Sequence, residues 1–403
     1  MDIKVGIIGV GSMGKGLAYQ IERTPGLECV ALADININNC LECAAWLDKE
    51  SQIVNDRQAI NTQVRNGRFA VTKNGTLISG CGPIDVVIEA SSAIVPGLGY
   101  CEEALQNGKH LVMMNAEVDL TFGPHLLNVA RKNGVTYTSC DGDQHGVIKR
   151  LIDEIELWGF ELVMAGNIKG FLDRYSNPQK IIPEADKRKL DYKMATAYTD
   201  GTKLAIEMAL VSNALGLRPN KCEMTGPPAK HVSEVLSLFN LEEIRESTPV
   251  VDYILGAEPG GGVFVVGFCD NPYQMDMMQY YKMGCGPYYV FYRPYHLCHV
   301  ESMRCVFDAV EGKSLLQPDC GMMTNVYACA KHDLPMGTRL DGVGGHTCYG
   351  VIQQKRDRLL PICLCENLTL KYPVSKDARI TLDDVHWGNL DRNTREKYEK
   401  ACK

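Results

Sequence analysis

The chain opens on an apolar run, Val5 to Val10, which breaks at a glycine-rich turn and passes directly into a stretch with helical spacing, Lys15 to Arg23. A second apolar run, Cys29 to Asp34, follows. Residues 36–80 read as a less regular region. The alternation then resumes, with a strand at Ile84 to Ala90, a helix at Tyr100 to Gly108, a strand at His110 to Met114, a helix at Leu126 to Lys132 and a strand at Val135 to Thr138. Strands alternating with helices predict an α/β fold, a Rossmann-type doubly wound parallel sheet.

After residue 140 the pattern changes. Val147, Ile148, Leu151, Ile152, Ile155 and Trp158 share one helical face, with Lys149, Arg150, Asp153, Glu154 and Glu156 largely opposite. A strand at Phe160 to Ala165, a polar region to Tyr192, helices at Gly201 to Leu215 and Val232 to Phe239, and strands at Val263 to Phe268 and Tyr288 to Tyr292 come next. This mixed order predicts an α+β substrate domain. Residues 302–311 read as a helix returning to the first domain. Short runs separated by Gly, Pro and Asp turns then predict a small β-rich unit. The expected boundaries are 1–145 for the nucleotide domain, 146–300 for the substrate domain, 301–322 for the returning helix and linker, 323–388 for the β unit and 389–403 for a charged tail.

The first turn carries Gly-x-Gly-x-x-Gly at Gly9, Gly11 and Gly14, enclosing Ser12 and Met13. Gly9 suits the tight turn, Gly11 lets a pyrophosphate approach the backbone, and Gly14 lets helix and strand pack closely. N–H groups at the helix start then face the phosphates. Asp34 ends the second strand 20 residues after Gly14, where a dinucleotide fold places the acid that binds a ribose hydroxyl. Asp34 would repel a 2′-phosphate, and neither Ile35 nor Asn36 offers a compensating charge, so NAD is expected over NADP. Ligands in such sheets sit beyond the carboxyl ends of the strands, which marks Ser91, Asn115, Glu117 and Asp141 as mouth residues.

Composition narrows the partners. The 403 residues are 45% hydrophobic and 23% charged, an ordinary globular balance, and the formal charge of −7 supplies no basic field for nucleic acid. No apolar run approaches the ~18 residues that cross a bilayer, and Met1-Asp-Ile-Lys4 opens directly into a core strand, so a cytoplasmic protein without membrane contact is expected. The 17 cysteines cannot all pair. Cys40-Leu-Glu-Cys43 is the only CxxC, without a second pair, so buried reduced thiols are expected over a zinc site.

Ala104-Leu-Gln-Asn-Gly-Lys-His-Leu-Val-Met113, the order of parts and the lysine of Thr199-Asp-Gly-Thr-Lys203 resemble the homoserine dehydrogenase superfamily over about three quarters of the chain. The resemblance implies a lysine and an aspartate that assist hydride transfer. Lys203 occupies the lysine position, and Asp200 precedes it by three residues, one fewer than in the family. Two departures point away from homoserine. The family's Asn-Lys pair is here Asn115-Ala-Glu117, and the amino-group-recognising Glu-x-Asp-Pro has no clear match near Pro183-Glu-Ala-Asp186. Gly142-Asp-Gln-His-Gly-Val147, Ala165 to Arg174, Thr199 to Lys203 and Tyr292 to Leu297 look more like the branch that holds 1-deoxyxylulose 5-phosphate reductoisomerase-like enzymes. That branch ends in a SAF domain, and Val326 to Gly342, Leu359 to Ile362 and Ile380 to Val385 resemble its short strands and proline-glycine turn.

The expected chemistry follows. Lys203 donates or removes the proton as hydride moves, with Asp200 beside it. Reductoisomerisation asks for a metal that bridges adjacent hydroxyl and carbonyl oxygens, and Asp141-Gly-Asp143 offers carboxylates for Mg²⁺ or Mn²⁺. The same turn could simply cap the following helix. Glu117, Lys169, Arg174, Arg293 and His296 are the substrate-binding candidates, the cations for a phosphate or carboxylate. His296-Leu-Cys-His299-Val-Glu301 departs from the zinc-protease spacing. The SAF module is expected to cover the site, to make a homo-oligomer contact or to act as a stabilising appendage. Three functions stand: a reductoisomerase-like NAD(P)-dependent oxidoreductase of a small polar hydroxycarbonyl compound, a simple homoserine dehydrogenase-like enzyme, and a nucleotide-binding sensor whose SAF module docks a partner.

Overall fold

The computed structural model describes every residue except Met1, Lys189 and Asn389. The chain divides into two compact units. The first holds residues up to Gly146 with Leu297–Gln317 and Lys397–Cys402, and the second holds Val147–His296 and Pro318–Glu396.

The first unit is built on a seven-stranded, wholly parallel sheet: β1 Ile3–Ile8, β2 Leu27–Ala33, β3 Ser51–Ile53, β4 Phe69–Thr72, β5 Val86–Glu89, β6 His110–Met113 and β7 Tyr137–Ser139. Their spatial order is β3-β4-β2-β1-β5-β6-β7. This is the α/β doubly wound sheet that the alternation predicts. The order reverses at β1, whose neighbours are β2 and β5, and that reversal opens a crevice beyond the carboxyl ends of β1 and β5. Val5 and Ile7 of β1 pack with Leu17 and Ile21 of the first helix, and Met303, Cys305, Val306 and Ala309 of the helix Met303–Val310 join the same core.

Residues 36–80 are more ordered than expected. They hold the helices Ile37–Trp46, Arg57–Arg65 and Gly75–Ser79 besides β3 and β4. The helix Arg57–Arg65 buries only Ile60 and Val64, too few for a visible period. Its start was nonetheless written in the sequence, because Asp56 accepts the Ala59 N–H at 2.8 Å, just as Asn36 and Asn74 cap the other two helices.

In the second unit, β8 Glu161–Lys169, β9 Arg218–Pro219, β10 Val250–Leu255, β11 Val263–Phe268 and β12 Tyr288–Arg293 form a mixed sheet in the order β12-β11-β8-β10-β9. β10 lies in a stretch to which the sequence pattern assigned no element, and the polar region before Tyr192 contains the helix Pro178–Arg188. The helix Thr202–Leu215 contacts β9 and β10 and also the antiparallel hairpin β13 Thr324–Ala330 and β14 Cys348–Gln354. Every residue from Thr202 to Ala214 is buried, so polar side chains on this helix are taken out of water together. The hairpin belongs to the second unit. A short pair, β15 Thr369–Leu370 and β16 Val385–His386, follows, and the tail holds the helix Arg392–Ala401.

Candidate active site

The glycine turn is shaped by three different demands. Gly9 has φ +91°, and a Cβ there would lie 2.4 Å from the Ser91 backbone nitrogen. A Cβ on Gly14 would lie 1.9 Å from the Gly9 carbonyl oxygen, so that glycine closes helix onto strand. A Cβ on Gly11 meets nothing within 4 Å. Gly11 is the residue before the helix Ser12–Arg23 and brings no side-chain cap, and the first turn carries no acid. Open space before an uncapped helix start fits a dinucleotide pyrophosphate. Ser12 is exposed and Met13 half-buried. Asp34 accepts the Val10 N–H at 2.7 Å through Oδ2, and through Oδ1 the Asn36 N–H at 2.8 Å and the Asn39 amide at 3.2 Å. The acid is thus fastened to the turn whose ligand it would help to hold.

Across the crevice, Ser91 donates its N–H to Glu89 Oε1 at 3.1 Å, and its hydroxyl accepts the Ala93 N–H at 3.3 Å. Glu89, read in the sequence only as the end of a strand, is fully buried beneath this loop. Burial pushes its carboxyl up to about 7, while the Ser91 and Asn115 groups favour the charged form. Its Oε2 nevertheless has no aligned hydrogen-bond donor. Asn115 caps the helix Ala116–Asn133 by accepting the Val118 N–H at 3.1 Å and ties it to Ala93 by donating to that carbonyl at 3.2 Å. Glu117 is buried in the first turn of the same helix.

Asp141 and Asp143 lie buried in the turn between β7 and the helix Gln144–Leu157. Asp141 Oδ1 accepts the Gly142 N–H at 2.7 Å, and Asp143 Oδ1 accepts the Gln144 N–H at 2.9 Å. The turn therefore organises its own backbone. The two carboxylates are hard oxygen donors, the chemistry that Mg²⁺ and Mn²⁺ prefer, while the Cys298 thiol, 4.0 Å from Asp143 Oδ1, is a soft one. Cys40 and Cys43 are buried, and burial pushes their thiols up to about 12 and about 11.

The second unit gathers a cluster of charges at the start of the helix Thr202–Leu215. Asp200 is 1% exposed, Lys203 4%, Glu207 2% and Lys331 4%. Gly201, at φ +87°, turns the chain into the helix, and Asp200 Oδ1 accepts the Thr202 N–H at 2.9 Å. Lys331, one residue beyond β13, places its ammonium 2.8 Å from Asp200 Oδ2 and donates to the Ser176 and Gly345 carbonyls at 2.6 and 2.7 Å. Since Oδ2 lacks an aligned donor, the Asp200 contact is a close ion pair and not a well-directed hydrogen bond. Burial pushes the Asp200 carboxyl above its ordinary range, and Lys331 opposes that push. Removing one partner of such a pair costs about 3–5 kcal/mol, because the other charge is left buried alone.

Lys169, half-buried at the end of β8, donates to the Tyr198 carbonyl at 2.7 Å. Desolvation lowers its pKa, against the fields of Glu207 and Asp200 and with help from Arg188. Asp200, Lys203 and Lys169 were legible as candidates, and the fold assembles the first and last electrostatically. Glu207, one helical turn beyond Lys203, and Lys331, far along the chain, were missed. The spacing of four residues was the available signal for Glu207, and none existed for Lys331.

Of the remaining candidates, Arg174 lines a small cavity with Asp200. Arg174 is paired with Glu223 at 2.8 Å, Glu223 also holds Arg379 at 3.1 Å, and the Arg174 guanidinium lies 5.7 Å from the Tyr349 ring centre. Arg174 thus shares one carboxylate with Arg379. Arg293 ends β12 with its guanidinium 4.9 Å from the Tyr295 ring centre, and His296 is half-buried three residues on.

Residues 142–302, less than half of the chain, match a family described as oxidoreductase DRL, catalytic domain. On that match the chain is an oxidoreductase. No curated protein matches it. Among solved structures, one described as a "probable dehydrogenase" from Thermotoga maritima is 10% identical with a TM-score of 0.46, covering 77% of this chain and 90% of that one. A DOX-P reductoisomerase solved with fosmidomycin and magnesium is 15% identical with a TM-score of 0.37, over 51% of this chain and 56% of that one. A biliverdin reductase from Synechocystis sp. PCC 6803, with biliverdin and NADP+, is 18% identical with a TM-score of 0.32, over 43% and 49%. Likenesses this distant carry no argument about substrate. Among the described residues no helix is long and apolar enough to cross a membrane.

Proposed function

We propose that this oxidoreductase uses a nicotinamide cofactor, NAD in preference to NADP, on a small polar hydroxycarbonyl compound, in a reaction of the 1-deoxyxylulose 5-phosphate reductoisomerase-like type. The observation that carries the reading is the charge cluster of Asp200, Lys203, Glu207 and Lys169, which falls inside the segment matching an oxidoreductase catalytic domain. A phosphate as one form of the substrate's anionic group, and the rearrangement, rest on the sequence resemblance and on the missing homoserine determinants.

A bound nicotinamide supplies the hydride or accepts it. The Gly9 to Gly14 turn binds the pyrophosphate, and Asp34 binds the adenosine ribose and repels a 2′-phosphate. Lys203 gives its ammonium proton to the carbonyl oxygen as hydride reaches the carbon, and takes a proton from the hydroxyl in the reverse direction. Lys169, the more exposed of the two, binds the substrate's anionic group or shares the proton. Asp141 and Asp143 would hold a divalent cation, whose chemistry is to polarise the ketose oxygens.

The test is a screen of sugar phosphates, sugar acids and homoserine with NADH and NADPH, followed by the mass and carbon connectivity of any product. Lys203→Met should lower kcat by about 10²- to 10⁴-fold with cofactor binding nearly intact. Near-normal turnover in a variant with an unchanged melting curve would remove Lys203 from the chemistry. An unrearranged alcohol as the sole product would favour the simple dehydrogenase.

A further inference from the structure

The C-terminal hairpin grips the helix that carries Lys203 at several points. The Gly350 N–H donates to the Thr202 hydroxyl at 2.8 Å, and a Cβ on Gly350 would meet the Thr202 methyl carbon at 2.8 Å. Thr324 and Asn213 exchange two bonds, at 2.9 and 3.0 Å. The loop between β13 and β14 is seated just as closely, since a Cβ on Gly344 would lie 1.9 Å from the Lys193 carbonyl oxygen. From this seat Gly345 offers its carbonyl to Lys331, and Lys331 reaches Asp200.

A module that only braced the helix could do so with apolar side chains, and burying an ammonium for that purpose is costly. Here the ammonium is placed against the one carboxylate that begins the Lys203 helix. Resting on the function proposed above, we propose that Lys331 is a positioning residue: it holds the Asp200 carboxylate in place and charged beside the reacting lysines, making the C-terminal β module a working part of the active site. Lys331 contacts Asp200, Lys169 lies in the fields of Glu207, Asp200 and Arg188, and Arg174, Glu223, Tyr253 and Tyr349 line a small cavity with Asp200. Arg174 and Arg379 share the Glu223 carboxylate. Lys331 is therefore the counter-charge in direct contact with Asp200 among the described residues.

The consequence is transmitted by charge. Without Lys331 the desolvated Asp200 carboxyl loses the charge that opposes its burial and shifts further toward the neutral form, and Lys169 then loses part of one of the two carboxylate fields that hold its own proton. The test uses the full chain with ¹³C-carboxyl-labelled aspartate, the Asp200 resonance being the one absent from Asp200→Asn. It should titrate at higher pH in Lys331→Met than in the wild type. In pH–rate profiles the alkaline limb of kcat/KM should move to lower pH by about one unit in Lys331→Met and in the double variant alike, and at least as far in Asp200→Asn, where the Lys331 ammonium is left without its carboxylate. The double variant carries neither buried charge and keeps the comparison open if Lys331→Met alone does not fold. An Asp200 titration that does not move up in folded Lys331→Met overturns the proposal. A double variant whose limb differs from that of Lys331→Met also overturns it, because Asp200 would then still act on Lys169 without Lys331. A wild type that turns over no substrate sinks the proposed function instead, and the resonance arm still decides whether Lys331 controls Asp200.

Discussion

A single buried carboxyl shows how much of this molecule depends on tertiary burial. Glu89 ends an apolar strand, and in the sequence nothing separates it from any charge at a strand edge. In the fold it is fully enclosed, and its carboxyl is pushed from the ordinary 4.5 up to about 7. The folded state then binds more protons than the unfolded chain between about pH 4.5 and 7, so stability contributed by the neutral form is complete below that window and lost as pH rises through it. The shift corresponds to about 3 kcal/mol by pH 8, an upper figure for one group. Glu89→Gln should therefore be nearly as stable as the wild type at pH 5 and more stable at pH 8, by a sizeable fraction of that amount. Denaturant unfolding at the two pH values measures it, and a difference that does not change with pH would refute the assignment. Asp119, raised to about 6 by burial, contributes a slope of the same sign in both proteins and cancels in the comparison. Residues such as Gly9, Gly14 and Asp34 were legible because their roles follow from local backbone geometry. Glu89 and Lys331 were not, because burial and partner are set by segments distant in sequence.

At the scale of elements, the glycine turn separates two functions that the motif writes as one. Gly14 is packed against the Gly9 carbonyl, whereas the direction in which a Gly11 side chain would grow is empty. Gly14→Ala should strain the strand–helix junction and destabilise the protein by about 1–3 kcal/mol. Gly11→Ala should leave the melting temperature almost unchanged and yet weaken NAD binding by about tenfold or more, since the methyl group occupies the space reserved for phosphate. Calorimetric titration with NAD, beside a melting curve for each variant, measures both. Equal NAD affinity in Gly11→Ala and wild type would mean that the dinucleotide is bound elsewhere. Elements with a strong period or a glycine boundary, such as β1, β11 and the helix Thr202–Leu215, could be read directly. The helix Arg57–Arg65 was missed for want of a buried face, and β10 because its apolar run carries Asp252 and Tyr253 between Val251 and Ile254. The Asp252 carboxylate is occupied by the Thr225 and Gly226 N–H groups, a satisfaction that only the folded loop supplies.

For the whole molecule, the question is whether the chemistry stops at hydride transfer or continues to rearrangement, and the two make different demands on a metal. The dinucleotide turn and the Asp141-Gly-Asp143 turn belong to the first unit, and the buried lysine cluster belongs to the second. A simple dehydrogenase needs only the turn and a proton donor. A reductoisomerase needs in addition a cation that grips adjacent hydroxyl and carbonyl oxygens while a carbon–carbon bond migrates. Chelation should therefore abolish turnover, and Mg²⁺ or Mn²⁺ should restore it. Asp143→Asn, which keeps the shape of the side chain and its bond to the Gln144 N–H, should weaken Mn²⁺ binding measured by titration while leaving NAD affinity intact. Binding measured without substrate keeps this test independent of activity. Full turnover in chelator, with metal content shown to be negligible, would defeat the metal reading. Unchanged Mn²⁺ affinity in Asp143→Asn would leave that carboxylate as the cap of its helix alone.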